Sequence, residues 1–255
     1  MRVTVCELRD DLRGFAEDWA ALVMHVQAES SELVLLPEMP FCPWFALTPE
    51  FSATIWQNAV EAHARWLTRL PELGVATVIG TRPVTRNGLR LNEGFMWQAA
   101  HGYQVVHDKY YLPEDEGFWE ASWYQRGAEQ FELSEAAGIR FGLVICTELW
   151  FLQRARSYGL AGAHFIATPR ATGKPTTDKW LAGGRVQAVV SGAYSLSSNH
   201  VSEDPNVDLG GQGWVIDPDG QVLAVTSRQQ PFATVEIDIA RAEAAKQTYP
   251  RYVPD

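Results

Sequence analysis

Two features of the 255-residue chain predict an α/β layered fold. Apolar strand segments alternate with helical segments whose apolar residues recur at helical spacing, and this alternation occurs twice, each half followed by β-rich stretches with hairpin turns. Two similar halves of this kind suggest two packed sheets with helices outside. No linker rich in Gly, Ser or Pro, no low-complexity tract and no helical repeat interrupts them, so residues 1–255 read as a single domain.

Residues 2–8 alternate as a strand does. Residues 11–30 carry Leu12, Phe15, Trp19, Leu22, Val23 and Val26 at helical spacing. Leu33 to Leu36 is a short apolar run ended by Pro37, and its lack of alternation marks a strand buried on both faces. A second helix pattern runs over 50–70 and is closed by Pro71. Val75 to Ile79 is the next strand, and 89–99 with 103–108 form a hairpin turned by His101-Gly102. The pattern then restarts: a strand from Ile139 to Ile145, a helix over 149–160, a strand from His164 to Ala167, a helix over 178–192 and a strand from Ala193 to Val201. The end is β-rich, with strands at 212–217, 221–227 and 232–238, the first two joined by the turn Asp217-Pro218-Asp219-Gly220.

The formal net charge of −10 and the absence of a Lys/Arg run argue against nucleic-acid binding. The three cysteines, Cys6, Cys42 and Cys146, are too few and too irregular for a disulfide framework, which fits a reducing cytoplasm. No apolar run is long enough for a membrane span, and the N-terminus reads into a strand rather than a signal peptide. The six histidines show no metal-ligand spacing.

Four residues invite chemistry. Cys146 ends a strand and precedes a helical stretch, where backbone N–H groups can stabilise a thiolate or an oxyanion. Glu38 lies between Pro37 and Pro40 just after a strand, a stiff setting for a general base. Lys109 precedes Tyr110 and Tyr111, a setting for a partly desolvated cation, and Glu120 follows Phe118-Trp119, so burial would require a partner such as a lysine. Taken singly, each has an ordinary reading: an inert buried cysteine, solvated loop acids, a surface lysine.

Their order is more specific than any one of them. The run Leu33 to Glu38, the segment Lys109 through Glu120 and the strand Gly142 to Cys146 together resemble the motifs of the nitrilase superfamily of carbon–nitrogen hydrolases. Gly162-Ala163, Pro169, Arg185, Asn199 and the stretch Trp214 to Gly220 extend the resemblance over nearly the whole chain. The resemblance implies a four-layer α-β-β-α sandwich, a Glu38–Lys109–Cys146 triad supported by Glu120, and no metal or organic cofactor. It places Thr147 and Glu148 at the oxyanion or substrate, and implies a homodimer or higher homo-oligomer. Its expected substrate is a small amide or N-carbamoyl compound, hydrolysed through a Cys146 thioester with release of ammonia.

The chain also departs from that pattern. Thr147 follows the cysteine where nitrilases usually have Trp, and Leu152-Gln153 replaces a Pro-Glu pair. Leu149 and Trp150 stand where the similar D-amino-acid carbamoylases place arginines that hold a substrate carboxylate, which leaves Arg170 as the candidate for that task. The acidic run Glu114-Asp115-Glu116 has two readings, a solvated loop or a lure for an amine-bearing substrate. Trp44, Trp119, Trp123 and Trp150 are candidates for pocket walls or core. Nitrile hydrolysis and acyl transfer would use the same thioester, and a catalytically idle binding protein could keep the same fold.

Overall fold

In the computed structural model, which describes residues 1–202 and 208–254, the strands form two sheets that share the first strand. Strand β1 (Arg2–Arg9) pairs through its first half with β2 (Leu33–Leu35) and with β12 (Phe232–Glu236). Beyond β2 the first sheet continues through β3 (Thr77–Arg86), β4 (Leu89–Gln98) and β5 (Gly102–Asp108). The second half of β1 pairs with β9 (Tyr194–Val201), followed by β8 (Phe165–Arg170), β7 (Ile139–Leu143) and β6 (Ser134–Ala136). On the other edge of β9, β10 (Trp214–Ile216) pairs with β11 (Val222–Val225).

Alternation along the strands divides the interior. Val3, Val5, Leu33, Leu35, Ile79 and Met96 face a core shared with Phe141, Leu143, Phe165 and Leu196 of the second sheet. Their neighbours Leu8, Val34, Leu36, Val78 and Phe95 face the opposite way, onto Phe15, Trp19, Leu22 and Val26 of α1 (Leu12–Ala28). This is why Leu33 to Leu36 shows no alternation: both faces of β2 are buried. Helix α2 (Ala53–Leu67) packs on β3, while α4 (Leu152–Leu160) and α5 (Thr177–Ser191) cover the second sheet. The result is the expected α-β-β-α sandwich.

Helix α1 is capped by Asp11, whose carboxylate accepts the Gly14 N–H at 2.7 Å, and α2 starts at Ser52, whose hydroxyl accepts from Ile55 N–H. Three short elements were not expected from the sequence: β6, α3 (Glu120–Trp123) and α6 (Ile239–Ala245). The helix expected over 149–160 is split, with a 3-10 turn over Cys146–Trp150 ahead of α4. Among the described residues no helix is long and apolar enough to cross a membrane.

Candidate active site

The four candidate residues converge where both sheets present the C-terminal ends of their parallel strands, the edge at which open α/β sheets bind ligands. Glu38 follows β2, Lys109 follows β5 and Cys146 follows β7. Glu38 also ties the sheets together: its N–H donates to the Arg170 carbonyl of β8 at 3.2 Å, and its own carbonyl accepts from His200 Nε2 at 2.7 Å.

Lys109 is the hub. Its Nζ donates to Glu38 Oε1 at 2.8 Å and to Glu120 Oε2 at 2.5 Å, and all three side chains are wholly buried. Asn92 Nδ2 donates to the same Glu38 oxygen at 2.7 Å, and the Tyr124 hydroxyl donates to Glu120 Oε2. Each carboxylate therefore has one engaged oxygen, while Glu38 Oε2 and Glu120 Oε1 are buried without a hydrogen-bond partner among the described residues. A buried carboxylate oxygen left open is costly unless something else comes to occupy it.

The charges act on one another. Burial works against the Lys109 ammonium, but Glu120, Glu38 and Cys146 outweigh it, and its pKa is raised above the ordinary lysine value. Burial lifts Glu120 to about 7, against the pull of Lys109 and the Tyr124 hydroxyl and with the added push of Glu38. Burial, then the Glu38 charge, pushes the Cys146 thiol up, with Lys109 opposing. The sequence expectation of a thiolate favoured by a helix start is thus not met. Cys146 opens a 3-10 turn instead, and desolvation dominates. A thiol in this setting needs a base to remove its proton during attack.

Cys146 adopts a left-handed conformation, φ +49°, uncommon for a residue with a side chain. Its sulfur lies 3.9 Å from the Ala171 carbonyl, at the end of β8. It opens into a pocket of about 250 Å³ whose walls include Glu120, Thr147, Ala171, Phe118 and Trp180. Thr172, also in the wall, is pinned by Asn199, whose Oδ1 accepts its N–H at 3.0 Å.

Two expected substrate-side residues lie elsewhere. Glu148 is fully buried and does not line the pocket: its carboxylate accepts from Tyr110 N–H at 2.7 Å and Ile145 N–H at 2.8 Å and contacts His107 Nε2 at 2.9 Å. It clamps the segments that carry Lys109 and Cys146. Arg170 is also fully buried. Its Nε, Nη1 and Nη2 donate to Ser197 Oγ, Thr172 Oγ1 and the Gln212 carbonyl, and its guanidinium lies 4.0 Å from the Trp214 ring centre. Each of its three nitrogens already donates to the protein and the residue is absent from the pocket wall, so it is not placed to hold a substrate carboxylate.

Sequence reasoning missed Asn92 and Tyr124, and among the ten tryptophans it did not single out Trp180, which lines the pocket. Asn92 and Tyr124 bear no local signature, since an Asn in a strand and a Tyr in an aromatic stretch are ordinary. Of the tryptophans singled out, Trp44 and Trp123 belong to an aromatic cluster beneath α3, and Trp150 is half exposed against Trp180.

Residues 2–247 match the family model "Carbon-nitrogen hydrolase". The chain is 22% identical to the 2-oxoglutaramate amidase of Bacillus subtilis (strain 168) over 198 residues, 72% of this chain and 71% of that protein. In fold it is similar to a carbon-nitrogen hydrolase from Helicobacter pylori G27, with a TM-score of 0.86 and 21% identity over 98% of this chain and 94% of that one. It is likewise similar to a mutant of the amidase from Nesterenkonia sp. AN1, with a TM-score of 0.77 and 17% identity over 95% of each chain. That structure shows the result of Michael addition of acrylamide at its active site cysteine.

Proposed function

The chain belongs to the carbon–nitrogen hydrolase family of the nitrilase superfamily, and from that premise we propose that it is an amidase-type enzyme. Its reaction is hydrolysis of a non-peptide carbon–nitrogen bond in a small amide or N-carbamoyl substrate, through a thioester on Cys146, with release of ammonia. One observation carries this reading. A buried ammonium bridges two carboxylates, each with one oxygen left open, and one of those carboxylates shares a pocket wall with a cysteine.

In this reading Glu38 takes the thiol proton on Oε2 as the sulfur attacks the carbonyl carbon. Charge developing on the carbonyl oxygen is stabilised by the Lys109 ammonium and the Thr147 N–H. Glu120 holds Lys109 through Oε2, and its open Oε1 accepts an N–H of the leaving group. The proton on Glu38 passes to the departing nitrogen, and ammonia leaves. Glu38 then deprotonates water, which attacks the thioester, and the carboxylic acid (from an N-carbamoyl group, the carbamic acid) leaves as the thiol is restored. The net change is amide plus water to acid plus ammonia.

The size of the site supports a small substrate, since about 250 Å³ falls below the roughly 300–1,000 Å³ of sites for drug-sized ligands. The reading is tested by ammonia release from purified protein over amides, N-carbamoyl compounds and nitriles, with Cys146→Ala as the control. Release from an amide or N-carbamoyl compound, absent in the control, is the expected result. Equal release by Cys146→Ala, or release from nitriles alone, would refute it.

A further inference from the structure

We infer that the pocket selects substrates whose tail, remote from the bond that is cleaved, carries an ammonium group. The inference rests on the amidase reading and names its substrate class.

The charged residues in the pocket wall are all acids: Asp115, Glu116 and Glu120. Asp115 and Glu116 are exposed, and neither enters any ion pair found among the described residues. The cations that might offset them are directed elsewhere. Lys109 is held between Glu38 and Glu120, and Arg170 is spent on Ser197, Thr172 and Gln212. Lys174, just beyond the wall residue Gly173, lines a separate cavity with Glu7 and Arg228. The buried Glu120 Oε1 has no partner among the described residues, so the negative field persists at the inner end of the pocket.

Asp115 and Glu116 are placed by a fixed turn. The Phe118 N–H donates to the Asp115 carbonyl at 2.8 Å, and Trp44 Nε1 donates to the Gly117 carbonyl at 2.9 Å. Gly117 has φ +78°, a conformation in which glycine meets no steric cost. The remaining wall suits the same guest: Phe118 and Trp180 offer aromatic rings, which attract an ammonium in the same sense as the acids do. A carboxylate tail would instead meet Asp115 and Glu116 and, among the described residues of the wall, no cation.

The test uses three amides of matched length, ending in an ammonium (4-aminobutanamide), a methyl (pentanamide) and a carboxylate (succinamate). Ammonia release gives kcat/KM for the wild type and for the double variant Asp115→Asn/Glu116→Gln. Calorimetric titration of Cys146→Ala with the same compounds gives binding without turnover. We expect the wild type to favour the ammonium compound over the neutral one by about tenfold, with the carboxylate last. That ratio should fall toward unity in the double variant, and also in the wild type as ionic strength rises from about 0.05 M to about 0.5 M. A preference for the carboxylate or the methyl compound, or a ratio unmoved by both the substitutions and salt, would overturn the inference. Tightest binding of the ammonium compound to Cys146→Ala, with no ammonia released by the wild type, would uphold charge selection and overturn the hydrolase reading. Equal binding of all three compounds would overturn charge selection whatever the turnover.

Discussion

At the scale of single residues, the site is a buried electrostatic unit: one ammonium between two carboxylates, with Asn92 and Tyr124 fixing which oxygens are engaged. Groups that act as a unit lose activity together, so Glu38→Gln and Lys109→Ala should each lower kcat/KM by about 10³-fold or more. A loss below about tenfold in steady-state kinetics would remove that residue from the mechanism. The unit also fixes a pH dependence. Glu120 must be ionised to hold Lys109, and burial lifts it to about 7, so activity should fall as pH drops through neutrality rather than near pH 4. The Tyr124 hydroxyl bonds the ionised form, so Tyr124→Phe should move the acid limb of kcat/KM upward. A wild-type limb in the ordinary carboxylate range, or one unmoved in Tyr124→Phe, would count against this role of Glu120. The grouping of Glu38, Lys109, Glu120 and Cys146 was legible because each sits at a strand end or among aromatics in a telling order. Glu148, two residues after the cysteine, and Arg170, after Pro169, were placed on the substrate side by sequence position alone, which says nothing of which way a side chain turns. Both turn into the protein.

Among the elements, long amphipathic helices and buried strands were readable because their periodicity spans several turns or residues. The short ones were not. β6 is three residues at a sheet edge, and α3 is a single turn held by Trp123 Nε1 donating to the Thr48 carbonyl and by the Trp119 N–H donating to the Ala46 carbonyl. Such contacts join segments about 75 residues apart in the chain and leave no local pattern. The packing of α4 on α5 offers a test at this scale. A Cβ added at Gly159 would lie 2.2 Å from the Ser191 carbonyl oxygen, and backbone cannot rotate away as a side chain can. Gly159→Ala should therefore cost about 1–3 kcal/mol in urea unfolding. A variant as stable as the wild type would show that the two helices separate freely.

For the molecule as a whole, the two-sheet sandwich was legible in the doubled strand–helix order, whereas the sharing of β1 by both sheets was not. That sharing depends on pairing Val3 with Leu33 and Glu7 with Asn199, which no local pattern encodes. Stability as a function of pH is also a whole-molecule property. His63 is buried as the neutral ring, its Nε2 accepting from Phe41 N–H and its Nδ1 facing the Ala59 carbonyl, and burial lowers its pKa to about 3. A depressed folded value contributes stability above the unfolded pKa of about 6.5 and loses it as pH falls, by about 1.4 kcal/mol per pH unit. Denaturant unfolding at pH 7 and pH 5 should show that loss, and His63→Gln should flatten it; an unchanged slope in the variant would assign the acid sensitivity elsewhere. In the proposed reaction fold and site meet in one covalent event, the transfer of an acyl group to Cys146, and its most direct test is the intact mass of acid-quenched protein during turnover of an amide. We expect an adduct equal to the amide less ammonia, mapped to Cys146 and absent from Cys6 and Cys42. Steady ammonia release with no adduct on Cys146, and with full activity in Cys146→Ala, would contradict the mechanism.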